Sequence, residues 1–105
     1  MDQNKFQEAE KAYKEKKKEQ ETGEPLPKVD MNTFILSLSS SVLVYLGEVP
    51  DPVTGKINKN LEMARQTIDL LGLLEEKTKG NLTEDEERLL KNVLFDLRVK
   101  YVQKC

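Results

Sequence analysis

The chain has 105 residues and a mass of 12.1 kDa, enough for one small domain and no second core. Charged residues make up 34% and hydrophobic ones 37%, with 19 acids against 17 bases, no histidine, no tryptophan and a single cysteine, Cys105. This weakly acidic composition excludes imidazole-based metal binding, triad chemistry and proton shuttling, and it excludes a disulfide within one chain.

Residues 1–30 hold seven lysines and eight acids, and the only large apolar groups before Leu26 are Met1, Phe6 and Tyr13. So little apolar surface cannot offset the entropy lost on ordering, so a mobile charged tail is expected. Good helix formers over Glu8–Glu21 allow transient helix there, and Gly23, Pro25 and Pro27 mark a linker. The N-terminal run has no apolar stretch of the signal-peptide kind, which together with the cysteine usage makes a cytoplasmic location the expectation. The domain division is therefore 1–30 for tail and linker and 31–105 for a helical domain.

From Met31 to Gly47 the chain carries no charge: MNTFILSLSSSVLVYLG. Met31, Phe34, Ile35, Leu38, Val42, Tyr45 and Leu46 recur at helical spacing and predict a first helix with one apolar stripe, capped by Asp30 or Asn32 and stopped by Gly47. The 17 residues fall short of a typical membrane span and include Asn32, Thr33 and four serines, so a buried core helix is the preferred reading. Pro50, Pro52 and Gly55 then predict a loop with one or two tight turns. A second helix is predicted from Asn58 or Asn60 to Lys79, with Leu61, Ala64, Thr67, Ile68, Leu71 and Leu74 on one side and Met63 and Leu70 widening it. Such a broad apolar arc suits contact with two neighbours. Thr83-Glu84-Asp85-Glu86 is a capping box that opens a third helix, with Leu89, Leu90, Val93, Leu94, Leu97 and Tyr101 as its core stripe.

The expected fold is thus all-α, a small three-helix domain whose second and third helices run antiparallel. Two helices carry a second apolar face. Leu36, Ser40, Leu43, Val44 and Gly47 lie away from the main stripe of the first helix, and Phe95, Val99 and Val102 away from that of the third. A domain of about 75 residues buries only about 60% of its unfolded surface, and association commonly compensates. These residues are the candidate self-association face of a homodimer, the alternative being a monomer whose tail or loop covers the first helix.

Other features point to less. The run GEVPDPVTGK has seven residues between its glycines and Ile57 after its lysine, so it is not a nucleotide loop. Its exposed part, Pro50, Asp51, Pro52, Thr54, Gly55 and Lys56, is instead a candidate partner-binding loop. Glu84–Glu87 fill the start of the third helix and would repel a phosphate near KTKGN. Glu62, Asp69 and Glu76 repeat along the second helix but belong to a solvated face with Arg65, and no activating group is expected near Cys105. No catalytic, cofactor-binding or metal-binding residue is assigned, and no cofactor. The lysines of KEKKK at 14–18 beside Tyr13 raise nucleic-acid binding, but interleaved glutamates and an overall pI of 5.3 weigh against it.

The runs FILSLSSSVLVYLG (34–47), PDPVTGK (50–56), ARQTIDLLGLLEEKTKGNLTEDEERLL (64–90) and LFDLRVKYV (94–102) together resemble the small bacterial proteins of domain-of-unknown-function family 1844. The resemblance covers residues 31 to about 103 and implies an all-helical cytosolic domain, with no activity, cofactor or catalytic residue to carry over. The function expected is that of a non-enzymatic, homo-oligomeric protein-interaction module without a membrane span. The alternative is an RNA- or ribosome-associated accessory protein using the lysine-rich tail.

Overall fold

The architecture comes from a computed structural model, which describes residues 3–20, 26 and 28–105. The linker residues Gly23, Pro25 and Pro27, and Met1, lie outside the described residues. Four helices are present among the described residues: α1 (Gln3–Gln20), α2 (Met31–Tyr45), α3 (Leu61–Lys77) and α4 (Glu84–Lys104). The expected three-helix count is corrected to four, because the charged segment forms α1. Its glutamates, lysines, glutamines and alanines are strong helix formers, and Lys14 Nζ meets Glu10 Oε1 at 3.1 Å across one turn, with Lys16 Nζ 3.6 Å from Glu19 Oε2. Among the described residues α1 packs on none of the other helices, while α2, α3 and α4 each pack on the other two.

The ends of α2 follow from local chemistry. Asp30 accepts a hydrogen bond from the Thr33 amide at 2.8 Å, which also holds its carboxyl below the usual carboxylate range. At the far end the Gly47 amide donates to Val44 O and the Glu48 amide to Leu43 O, both at 3.0 Å, with Gly47 at φ +77°. That pair of bonds is a Schellman motif, and its left-handed residue favours glycine. Asn60 caps α3 by accepting from the Met63 amide at 3.1 Å, and α3 ends at Lys77, two residues before the expected stop.

At α4 the capping box forms as the sequence requires. The Thr83 hydroxyl accepts from the Glu86 amide at 3.2 Å, and the Glu86 carboxylate accepts from the Thr83 amide at 2.8 Å. Thr83→Ala is expected to cost about 1 kcal/mol. The check is thermal unfolding followed by circular dichroism at 222 nm, since the chain has no tryptophan.

Gly72 lies against Arg98, Glu75 is near Lys91, and Arg65 and Asp69 are near Tyr101, so α3 and α4 run antiparallel. The Asn60 amide donates to Tyr45 O at 2.7 Å, fastening the start of α3 to the end of α2. Lys104 Nζ reaches Glu48 Oε1 at 3.5 Å, which sets the C-terminal ends of α2 and α4 at the same pole. The result is an up-down-up bundle. Its core is Ile35, Val42 and Leu46, then Ala64, Thr67, Ile68 and Leu71 from α3, and Leu90, Leu94 and Leu97 from α4. Met31, Leu38, Tyr45, Leu61, Leu74, Leu89, Val93 and Tyr101 pack around it.

Three expected core positions are corrected. Phe34 is 47% exposed, and Met63 and Leu70 also face outward. The buried line of α2 runs through Ile35, Val42 and Leu46, so Phe34 falls about 100° to one side of it. Met63 and Leu70 flank the buried line of α3 in the same manner.

Candidate functional site

Acidic side chains are spread over the surface. Glu62, Asp69 and Glu76 are all exposed on α3, and among the described residues no group of three or more His, Cys, Asp or Glu is arranged to hold a metal ion. No buried polar side-chain atom among the described residues lacks a hydrogen-bond partner. No described helix is long and apolar enough to cross a membrane.

The exposed apolar side chains are the distinctive surface feature. On α4, Phe95 is 68%, Val99 40% and Val102 70% exposed, on the side opposite the buried Leu90, Leu94 and Leu97. Spacings of four and three residues stack them on one line along the helix. Together with Lys91, Leu94, Arg98 and Gln103 of α4 and Glu75 of α3, they line an open groove of about 630 Å³. Lys91 Nζ is 3.0 Å from Glu87 Oε1, and that hydrogen bond holds the ammonium above its usual range.

The residues expected on the second face of α2 are placed differently. Leu43 is half-buried and packs on the core. A Cβ on Gly47 would lie 3.5 Å from Ile57 and 3.6 Å from Lys59, so the loop after α2 occupies that space. Ser40, Ser41, Val44 and Tyr45 share a shallow depression with Asp51 and Pro52 of the same loop. Leu36 and Ser40 remain exposed. No α2 side chain lines the α4 groove, so the groove gathers Phe95, Val99 and Val102 and leaves the α2 residues elsewhere.

The candidate partner loop is a closed turn. The Asp51 amide donates to Lys56 O at 2.9 Å and the Gly55 amide to Asp51 O at 2.7 Å. The Asp51 carboxylate accepts from the Val53 amide at 2.7 Å, and the Thr54 hydroxyl accepts from the Lys56 amide at 3.3 Å. Pro50, Pro52, Thr54, Gly55 and Lys56 are exposed and Asp51 is half-buried. Val53, missed in the sequence, is 90% exposed in the same turn. Also missed were Lys91, Arg98 and Gln103, which line the α4 groove.

On α1, Lys11, Lys14 and Lys18 line one shallow groove with Gln7, Glu10 and Glu15. Phe6 and Tyr13 are exposed.

The fold and surface define a small all-helical domain with an outward apolar strip on its last helix. The chain matches the family described as "Domain of unknown function (DUF1844)" over residues 28–103 and belongs to that family. No curated protein and no solved structure matches it.

Proposed function

We propose that this protein is a non-enzymatic, self-associating interaction module, and that it associates through Phe95, Val99 and Val102 of α4. The observation that carries this reading is the strip itself: three large apolar side chains in line, outward, on a helix whose inner side is already satisfied by the core. Contiguous apolar surface of that kind marks contact sites. The dispersed, exposed carboxylates of α3 support a role without acid–base chemistry, and a cytoplasmic location suits a chain with one free thiol. Sedimentation velocity over a concentration series is the test. A mass rising above 12.1 kDa toward twice that value supports the reading, and a fixed monomer rejects it.

The lysine row on α1 favours a second reading, in which the protein is an RNA- or ribosome-associated accessory factor. Deleting residues 1–22 is then expected to abolish retention of RNA in low salt. With three tyrosines and no tryptophan, bound RNA would dominate absorbance at 260 nm. Equal retention by the full and shortened chains would remove this reading.

A further inference from the structure

The strip has internal grammar beyond being apolar. Asn92, Phe95, Val99 and Val102 are spaced three, four and three residues apart, the alternation of a two-stranded coiled-coil seam. In that frame Asn92 and Val99 take one seam position and Phe95 and Val102 the other. An asparagine at the first position of such a seam fixes register and partner number. Lys91 and Arg98 flank the seam on one side, Asp96 and Gln103 on the other. Among the described residues neither Asp96 nor Arg98 has an ion-pair partner.

We propose that the occupant of the α4 strip is a second copy of the same helix, lying parallel to the first about a two-fold axis, with Asn92, Phe95, Val99 and Val102 as the seam. The proposal rests on the self-association reading above and adds its orientation and register. Charge decides the orientation. In a parallel pair the Lys91/Arg98 flank of one copy faces the Asp96/Gln103 flank of the other, bringing Lys91 to Asp96 and Arg98 to Gln103. In an antiparallel pair each flank meets itself, so Lys91 and Arg98 of one copy confront Lys91 and Arg98 of the other. The other amphipathic candidate, α1, would carry six lysines and four glutamates to the same basic flank, which disfavours it as occupant. The seam spans only Asn92 to Val102, so the contact belongs to the small, weak class of interfaces, with a Kd on the order of micromolar.

Parallel pairing places the two C-terminal ends of α4 side by side, with each Val102 opposite its own counterpart. An antiparallel seam instead sets first-position residues against second-position ones, so that Val102 meets Asn92. The experiment uses the full chain carrying Cys105→Ser and Val102→Cys, oxidised with diamide at concentrations spanning the association range, where two thiols form one disulfide and diamide takes up the two hydrogens. The expected result is a disulfide-linked dimer forming at least tenfold faster than when Phe95→Glu is added. Mixed Asn92→Cys and Val102→Cys chains, both in the Cys105→Ser background, should not link to each other. If the protein sediments as a dimer yet Val102→Cys links to itself no faster than with Phe95→Glu added, or links to Asn92→Cys in preference to itself, the parallel seam is overturned while self-association stands. If the protein stays monomeric at every concentration, both fall.

Discussion

Leu71→Ala is expected to lower the stability of the bundle by about 2–5 kcal/mol, the largest effect of any single change considered. Leu71 is fully buried on α3 amid core residues of α2 and α4, so alanine leaves a cavity that neighbours on three helices must collapse to fill. A domain of about 75 residues holds on the order of 4–11 kcal/mol in all, so much of its stability goes with one side chain. Urea denaturation followed at 222 nm, at a protein concentration low enough to keep the chain monomeric, should show the midpoint falling by roughly 2 M or more at about 1 kcal/mol per M. Leu73→Ala is the control. Two positions along the same helix and half-exposed, it is expected to cost less than about 1 kcal/mol. Equal losses at the two sites would mean that α3 presents a different face to the core.

Phe95→Glu is expected to do the opposite: weaken association at least a hundredfold while leaving the fold within about 0.5 kcal/mol of the parent. The ring is mostly exposed on α4, so the bundle loses little by its removal. The association contact loses its one aromatic anchor and gains a charge that must be desolvated on pairing. A single substitution that separates oligomeric state from stability distinguishes an interface residue from a core residue. Were Phe95→Glu to unfold the chain, the strip would belong to the core instead.

Much of the bundle was legible in the sequence because its signals are local. The capping box at Thr83 and Glu86 names the start of α4 by chemistry alone. Of the paired candidates, Asp30 or Asn32 for α2 and Asn58 or Asn60 for α3, Asp30 and Asn60 are the caps. Leu90, Leu94 and Leu97 are buried where their spacing put them. The failures have equally physical causes. The segment ahead of the linker was judged by how little it could bury, whereas α1 needs only good helix formers and intrahelical pairs such as Lys14–Glu10. Phe34 fell outside the core because a stripe drawn from hydrophobicity has a width but no centre until neighbouring helices choose one.

The candidate surface was legible in part. Phe95, Val99 and Val102 stood out as apolar residues off the main stripe, and the structure keeps them outward in one groove. Of the α2 residues that matched the same description, Leu36 stays exposed and Leu43 packs on the core. Ser40, Val44 and Gly47 meet their own chain, because Gly47 turns the backbone so that Ile57, Lys59, Asp51 and Pro52 return beside them. That return depends on a positive φ at Gly47 and the bond from the Asn60 amide to Tyr45 O, a contact between residues 15 apart that periodicity cannot reveal.

Sedimentation velocity of the parent chain and Phe95→Glu side by side tests association through the α4 strip most directly, from about 1 to 300 μM, a range set by the micromolar Kd expected of so short a seam. The parent mass is expected to rise from 12.1 kDa toward a dimer while the variant stays a folded monomer throughout. Identical curves for the two proteins, whether both monomeric or both dimeric, would contradict association through the strip.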